Sequence, residues 1–89
     1  MTRRVIWLEA ATAQLARAYV PLWITAEGRA ITTAVAELDL KLSRNAEQQG
    51  ESRNGLVRLV VQPPLWVYFE IQDELVIVTE LHYHPPRRL

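Results

Sequence analysis

The sequence predicts an α+β domain in the order β-α-α-β-β-β, with a helical hairpin packed on one face of a small, mainly antiparallel twisted sheet. Three observations carry this. A short β-rich run opens the chain. Ile31, Val35, Leu38 and Leu42 then recur at helical spacing. After residue 55 the apolar pattern switches to period two, punctuated by Pro63-Pro64 and by Gln72-Asp73-Glu74. At 89 residues, the expectation is one domain spanning 1–89.

The first strand is read over residues 5–8 and stops at Glu9-Ala10-Ala11-Thr12. The Thr12 hydroxyl can accept from an orphan amide, which makes Thr12 the expected N-cap of the first helix. Leu15, Ala18, Tyr19 and Leu22 follow at helical spacing until Pro21 interrupts the main-chain bonding, so that helix is placed over 12–21. The second helix carries its apolar stripe on one side and Glu37, Asp39, Lys41 and Arg44 around the rest. Thr25 or Glu27 would cap its start, and residues 45–50 read as its exit loop. With so short a link, the two helices are expected to pack as an antiparallel hairpin.

Strands are then expected over 56–62, 66–71 and 75–83. Pro63-Pro64 cannot sit within a ladder and therefore forms a connection. Short links require antiparallel neighbours. Alternation assigns Val57, Leu59, Val61, Val67, Phe69, Ile71, Leu75, Ile77 and Leu81 to the face under the helices. Arg58, Val60, Gln62, Trp66, Tyr68, Glu70, Val76, Val78, Glu80, His82 and His84 fall on the opposite, uncovered face.

Composition narrows the function classes. The chain has no Cys, which excludes disulfides, thiolate metal sites and a thiol nucleophile and favours the cytoplasm. No apolar run approaches the roughly 18 residues of a membrane helix. The apolar stretch after Arg3-Arg4 is too short for a signal peptide. Ten basic and ten acidic residues give zero formal charge, which argues against a dedicated nucleic-acid binder, since such proteins rely on a basic surplus.

Several residues are candidates for chemistry. Arg58, inside an apolar strand, either pairs with Glu70 or Glu80 or aims a guanidinium at a phosphate or carboxylate. His82-Tyr83-His84 ends the last strand as a polar terminus or as a general acid or base. Two His without a third ligand make a poor metal site, and neither a metal nor any other cofactor is expected. Glu70 and Glu80 either do acid–base work or pair with Arg58. Trp66 and Tyr68 either stack on a base or bury against a protein partner. Gly50-Glu51-Ser52-Arg53 reads as a turn in which Arg53 contributes charge. Arg87 and Arg88 add charge near the C-terminus.

Val5-Ile6-Trp7-Leu8-Glu9-Ala10-Ala11 resembles the opening of RelE/ParE superfamily toxins. Gly55-Leu56-Val57-Arg58-Leu59-Val60-Val61 resembles their Arg-bearing strand. Leu65-Trp66-Val67-Tyr68-Phe69-Glu70-Ile71 followed by Leu75-Val76-Ile77-Val78 resembles their final hairpin, and His82-Tyr83-His84 falls where ribosome-dependent members carry a catalytic His or Tyr. The resemblance spans nearly the whole chain. It implies the toxin of a type II toxin–antitoxin (plasmid-stabilisation-type) system, masked by a cognate antitoxin. Growth inhibition would come from metal-independent endoribonuclease action on mRNA at the ribosome or from poisoning DNA gyrase. It further implies that Arg58 stabilises the scissile phosphate, that His82, Tyr83 or His84 moves protons, that Glu70 assists as a base, and that Arg53, Tyr68, Arg87 and Arg88 meet RNA or another target. The neutral charge, and the absence of lysines from the loop before Arg53, depart from the ribosome-dependent pattern and fit a gyrase-directed member, or an inactive interaction module of the same fold, better.

Overall fold

Glu9-Ala10-Ala11 favours helix, and an acidic residue suits a first helical turn. Helix α1 accordingly spans Glu9–Tyr19, starting before Thr12, with Leu8 at its N-cap and no side-chain cap bond. Thr12 is therefore not the cap; its amide donates to the Leu8 carbonyl inside the first turn. A 3-10 turn over Val20–Leu22 absorbs Pro21 near its start, where a missing amide costs little. Helix α2 spans Ala26–Asn45, and the Thr25 side chain accepts from the Gly28 amide at 3.1 Å. Gly28 allows the close approach of this helix start to the preceding turn, because a Cβ there would stand 2.1 Å from the Leu22 carbonyl oxygen. The segment expected as an exit loop instead continues as a 3-10 turn over Ala46–Gln48.

The computed structural model describes residues 2–86. Its strands are β1 Arg4–Trp7, β2 Glu51–Asn54, β3 Val57–Gln62, β4 Leu65–Gln72 and β5 Leu75–Tyr83. They form one five-stranded sheet in the order β1-β5-β4-β3-β2. β1 runs parallel to β5, and the other neighbours are antiparallel. The two helices carry the chain from β1 to β2 at the opposite edge, and β5 returns beside β1 as its parallel neighbour. β2 replaces the turn expected at Glu51-Ser52-Arg53. It is an entirely polar edge strand, so it has no apolar alternation to announce it.

The core lies between the helices and one sheet face. Ala11 of α1 and Ile31, Ala34, Leu38 and Leu42 of α2 meet Val60, Leu65, Val67, Phe69, Val76, Val78 and Leu81, with Val5, Trp7 and Tyr83 packed at its margin. Past Val78, β5 has no strand on its β1 side, and the Leu81 amide donates to Gln14 Oε1 of α1 at 2.7 Å.

This core corrects part of the expected face assignment. Directly opposed residues share a face, and Arg58, Val60 and Gln62 oppose Phe69, Val67 and Leu65. These three therefore lie on the helix side, and Val57, Leu59 and Val61 lie on the open side. The strand is apolar in both phases, and the long stems of Arg58 and Gln62 run along the core margin with their polar ends outside it. On β5, Tyr68 opposes Glu80 while Phe69 opposes Val78, which leaves Thr79 as an extra residue. This bulge reverses the alternation. Val76 and Val78 face the core before it, Leu81 and Tyr83 after it, and Leu75 and Ile77 lie on the open side.

Candidate functional site: the open face of the sheet

The register sorts the open face into rows. Val57, Glu70, Ile77 and Ile6 lie side by side across β3, β4, β5 and β1; Glu51, Leu59, Tyr68 and Glu80 form the next row; Val61, Trp66 and His82 form the third. Leu59 is 4% exposed despite facing this side. Glu70 and Glu80 are not opposed to each other: Glu70 pairs with Ile77 and Glu80 with Tyr68.

One end of this face concentrates the reactive groups. His82 Nε2 stands 3.1 Å from Glu80 Oε2. The Tyr68 and His82 rings meet edge to face with centroids 6.1 Å apart. Beyond them, the Trp66 and His84 rings stack at 4.5 Å and 26°, and the His84 amide donates to the Pro64 carbonyl, which fixes the strand end. Glu80 and His82 are two residues apart past the bulge, so a single strand presents both to solvent. A half-exposed imidazole beside a carboxylate can take up or release a proton, and the flanking rings offer flat surfaces to a planar ligand or a protein.

The remaining candidates lie elsewhere. Arg58 sits on the helix side, where Nε donates to the Gln49 carbonyl at 3.2 Å and Nη2 to those of Glu47 and Gly50 at 3.2 and 3.4 Å. It ties β3 to the turn after α2 and has no ion pair with Glu70 or Glu80 among the described residues. Gly50 adopts φ +67°, and a Cβ there would stand 2.1 Å from the Leu59 carbonyl oxygen, so this junction has room only for glycine. Tyr83 opposes Leu65 and packs against the core. Arg53 lies on β2, 3.9 Å from Glu51. Arg87 and Arg88 lie outside the described residues. The structure thus brings together Tyr68, His82 and His84, and separates them from Arg58 and Tyr83. Glu80 and Trp66, read in the sequence as candidates for acid–base work and for stacking, complete the cluster.

Among the described residues, no group of three His, Cys, Asp or Glu is placed to hold a metal ion, and no helix is long and apolar enough to cross a membrane.

No model of a protein family matches the chain, and no curated protein matches it. Solved structures do. A chain of the chromosomal ParDE toxin–antitoxin system from P. aeruginosa is 18% identical with a TM-score of 0.71, over 94% of this chain and 98% of that one. A chain of the RelBE2 toxin–antitoxin complex from Mycobacterium tuberculosis is 17% identical with a TM-score of 0.73, over 94% of this chain and 100% of that one. At such identities the likeness is one of fold, and the chain has a RelE/ParE-like α+β fold.

Proposed function

We propose that this chain is the growth-inhibiting toxin of a type II toxin–antitoxin pair, that a cognate antitoxin neutralises it, and that the open sheet face is its working surface. The observation that carries this reading is the end-to-end fold match to chains of two toxin–antitoxin complexes. The antitoxin would lie in the apolar groove of about 370 Å³ between α1 and α2, lined by Leu15, Tyr19, Ile31 and Val35 among others, as an amphipathic segment does in a hydrophobic groove. The test is inducible expression in the cytoplasm of a bacterial host. The chain alone arrests growth, and co-expression of a short reading frame adjacent to its gene restores it. Normal growth with soluble, folded protein would leave only an interaction module of the same fold.

The proposed toxin acts by binding a protein target, of which DNA gyrase is the candidate. Two observations favour binding over RNA cleavage. Arg58, the cation proposed to hold a phosphate, is occupied by three main-chain carbonyls on the other face. The chain also has no basic surplus for RNA. A second reading, metal-independent endoribonuclease action on ribosome-bound mRNA, is favoured by the contact of His82 with Glu80 beside Tyr68. In it, His82 or His84 moves the proton, Glu70 assists as a base, Tyr68 stacks on a nucleotide, and Arg53, Arg87 and Arg88 supply charge. Tyr83 enters only if it leaves its packed position. Toeprinting of ribosomes programmed with mRNA separates the two: cleavage that His82→Ala abolishes supports the nuclease, and arrest without cleavage supports the binder.

A further inference from the structure

The two edges of the sheet are built differently. β2 is short, polar and broken by a register shift between Ser52 and Asn54, features that discourage pairing with another strand. β1 is equally short, at four residues, but it is neither wholly polar nor broken. It is Arg-Val-Ile-Trp, in unbroken register with β5. The amides of Arg4 and Leu8 donate to the Glu74 and Val78 carbonyls. Alternation therefore turns the main-chain groups of Ile6 toward β5 and those of Val5 and Trp7 outward. Ile6 and Leu8 expose 36% and 43% of their surface beside this edge, and Leu40 of α2 is half exposed next to it.

We infer that this edge is a self-association surface, on which β1 of a second copy pairs antiparallel about a two-fold axis through Ile6. The sequence is self-complementary in that register. Val5 of each copy opposes Trp7 of the other, so the outward amides and carbonyls of both residues are satisfied reciprocally. The two Ile6 side chains meet in the close, non-hydrogen-bonded position, with Cα atoms about 4.5 Å apart. Charge agrees with this register. Arg4 and Glu9 flank β1 at opposite ends, both are exposed, and neither has a side-chain hydrogen bond or ion pair among the described residues. In this register Arg4 of each copy opposes Leu8 of the other, so its guanidinium comes within one residue of Glu9. An isologous pair of this kind closes, producing a dimer with one continuous sheet and not a fibre.

The full chain is examined by sedimentation over a dilution series, and its Ile6→Cys variant by mild oxidation and a non-reducing gel; the wild type contains no Cys, so any cross-link passes through the introduced thiol. The wild type sediments as a dimer at the upper end of the series, and Ile6→Cys cross-links to a covalent dimer while Arg53→Cys on the other edge does not. Val5→Pro removes an outward amide without touching a bond to β5 and gives a monomer with unchanged circular dichroism. Arg4→Glu shifts the dimer midpoint to higher concentration, and the added Glu9→Arg shifts it back. Three results would each overturn the inference: a wild type monomeric throughout with no cross-link at position 6, a dimer equally stable in Val5→Pro and Arg4→Glu, or cross-linking only when an antitoxin strand is present.

Discussion

On the helix side of the sheet, Leu65, Val67, Phe69, Val76, Val78 and Leu81 are buried, and Arg58 is bonded there to main-chain carbonyls. On the other side, the same strands present Trp66, Tyr68, Glu80, His82 and His84, with Glu80 against His82, Tyr68 against His82 and Trp66 against His84. The strands are shared and the duties are not. The covered face carries most of the buried apolar side chains, and the open face most of the exposed polar and aromatic ones. The difference also places Arg58, a site candidate in the sequence, on the helix side, where it ties β3 to the turn after α2.

The largest effect expected belongs to the covered face. Phe69 is fully buried, and Phe69→Ala should cost about 3–5 kcal/mol in urea unfolding, enough to threaten a domain of this size. Arg58→Ala comes next. It frees three carbonyls after α2, and hydrogen bonds from a charged donor are worth about 1.5–3 kcal/mol; a loss of roughly that size should appear in chemical denaturation. Any loss of growth arrest in this variant should follow the amount of folded protein. If Arg58→Ala kept wild-type stability and yet lost arrest, the division between the faces would be broken at its most exposed point. Gln14→Ala strands the Leu81 amide at the end of the β1–β5 pairing, and about 1–3 kcal/mol is expected from leaving such a donor unpaired. The smallest stability effect is expected from His82→Ala, within about 0.5 kcal/mol for an exposed side chain, although it lies at the centre of the proposed working surface.

Much of this arrangement was legible in the sequence, and where it was not the causes are specific. The apolar stripe of α2 and the turns at Pro63-Pro64 and Asp73-Glu74 are strong local signals, so the element order could be read. Glu80, His82 and His84 were assigned correctly to the open face, because that part of β5 alternates polar with apolar. Leu75-Val76-Ile77-Val78 is apolar in both phases, so periodicity could not choose which side faces the helices, and nothing in the sequence marks the bulge at Thr79 that reverses the phase. Arg58 was misplaced for a related reason. A long side chain can start on the buried side and end at polar carbonyls on the rim, and alternation locates only its Cβ. β2 was missed because an edge strand without a buried face needs no apolar residues.

The central claim is that the open face is where the chain acts, and the most direct test is growth after tight, inducible expression of three folded proteins at matched levels. These are the wild type, the open-face variant Tyr68→Ala/His82→Ala, and Gln62→Ala, altered on the helix side where Gln62 bridges Glu37 and Lys41. Arrest by the wild type and by Gln62→Ala, with normal growth of the Tyr68→Ala/His82→Ala strain, is the predicted result. Arrest by Tyr68→Ala/His82→Ala equal to that of the wild type, with both proteins folded, would contradict the account.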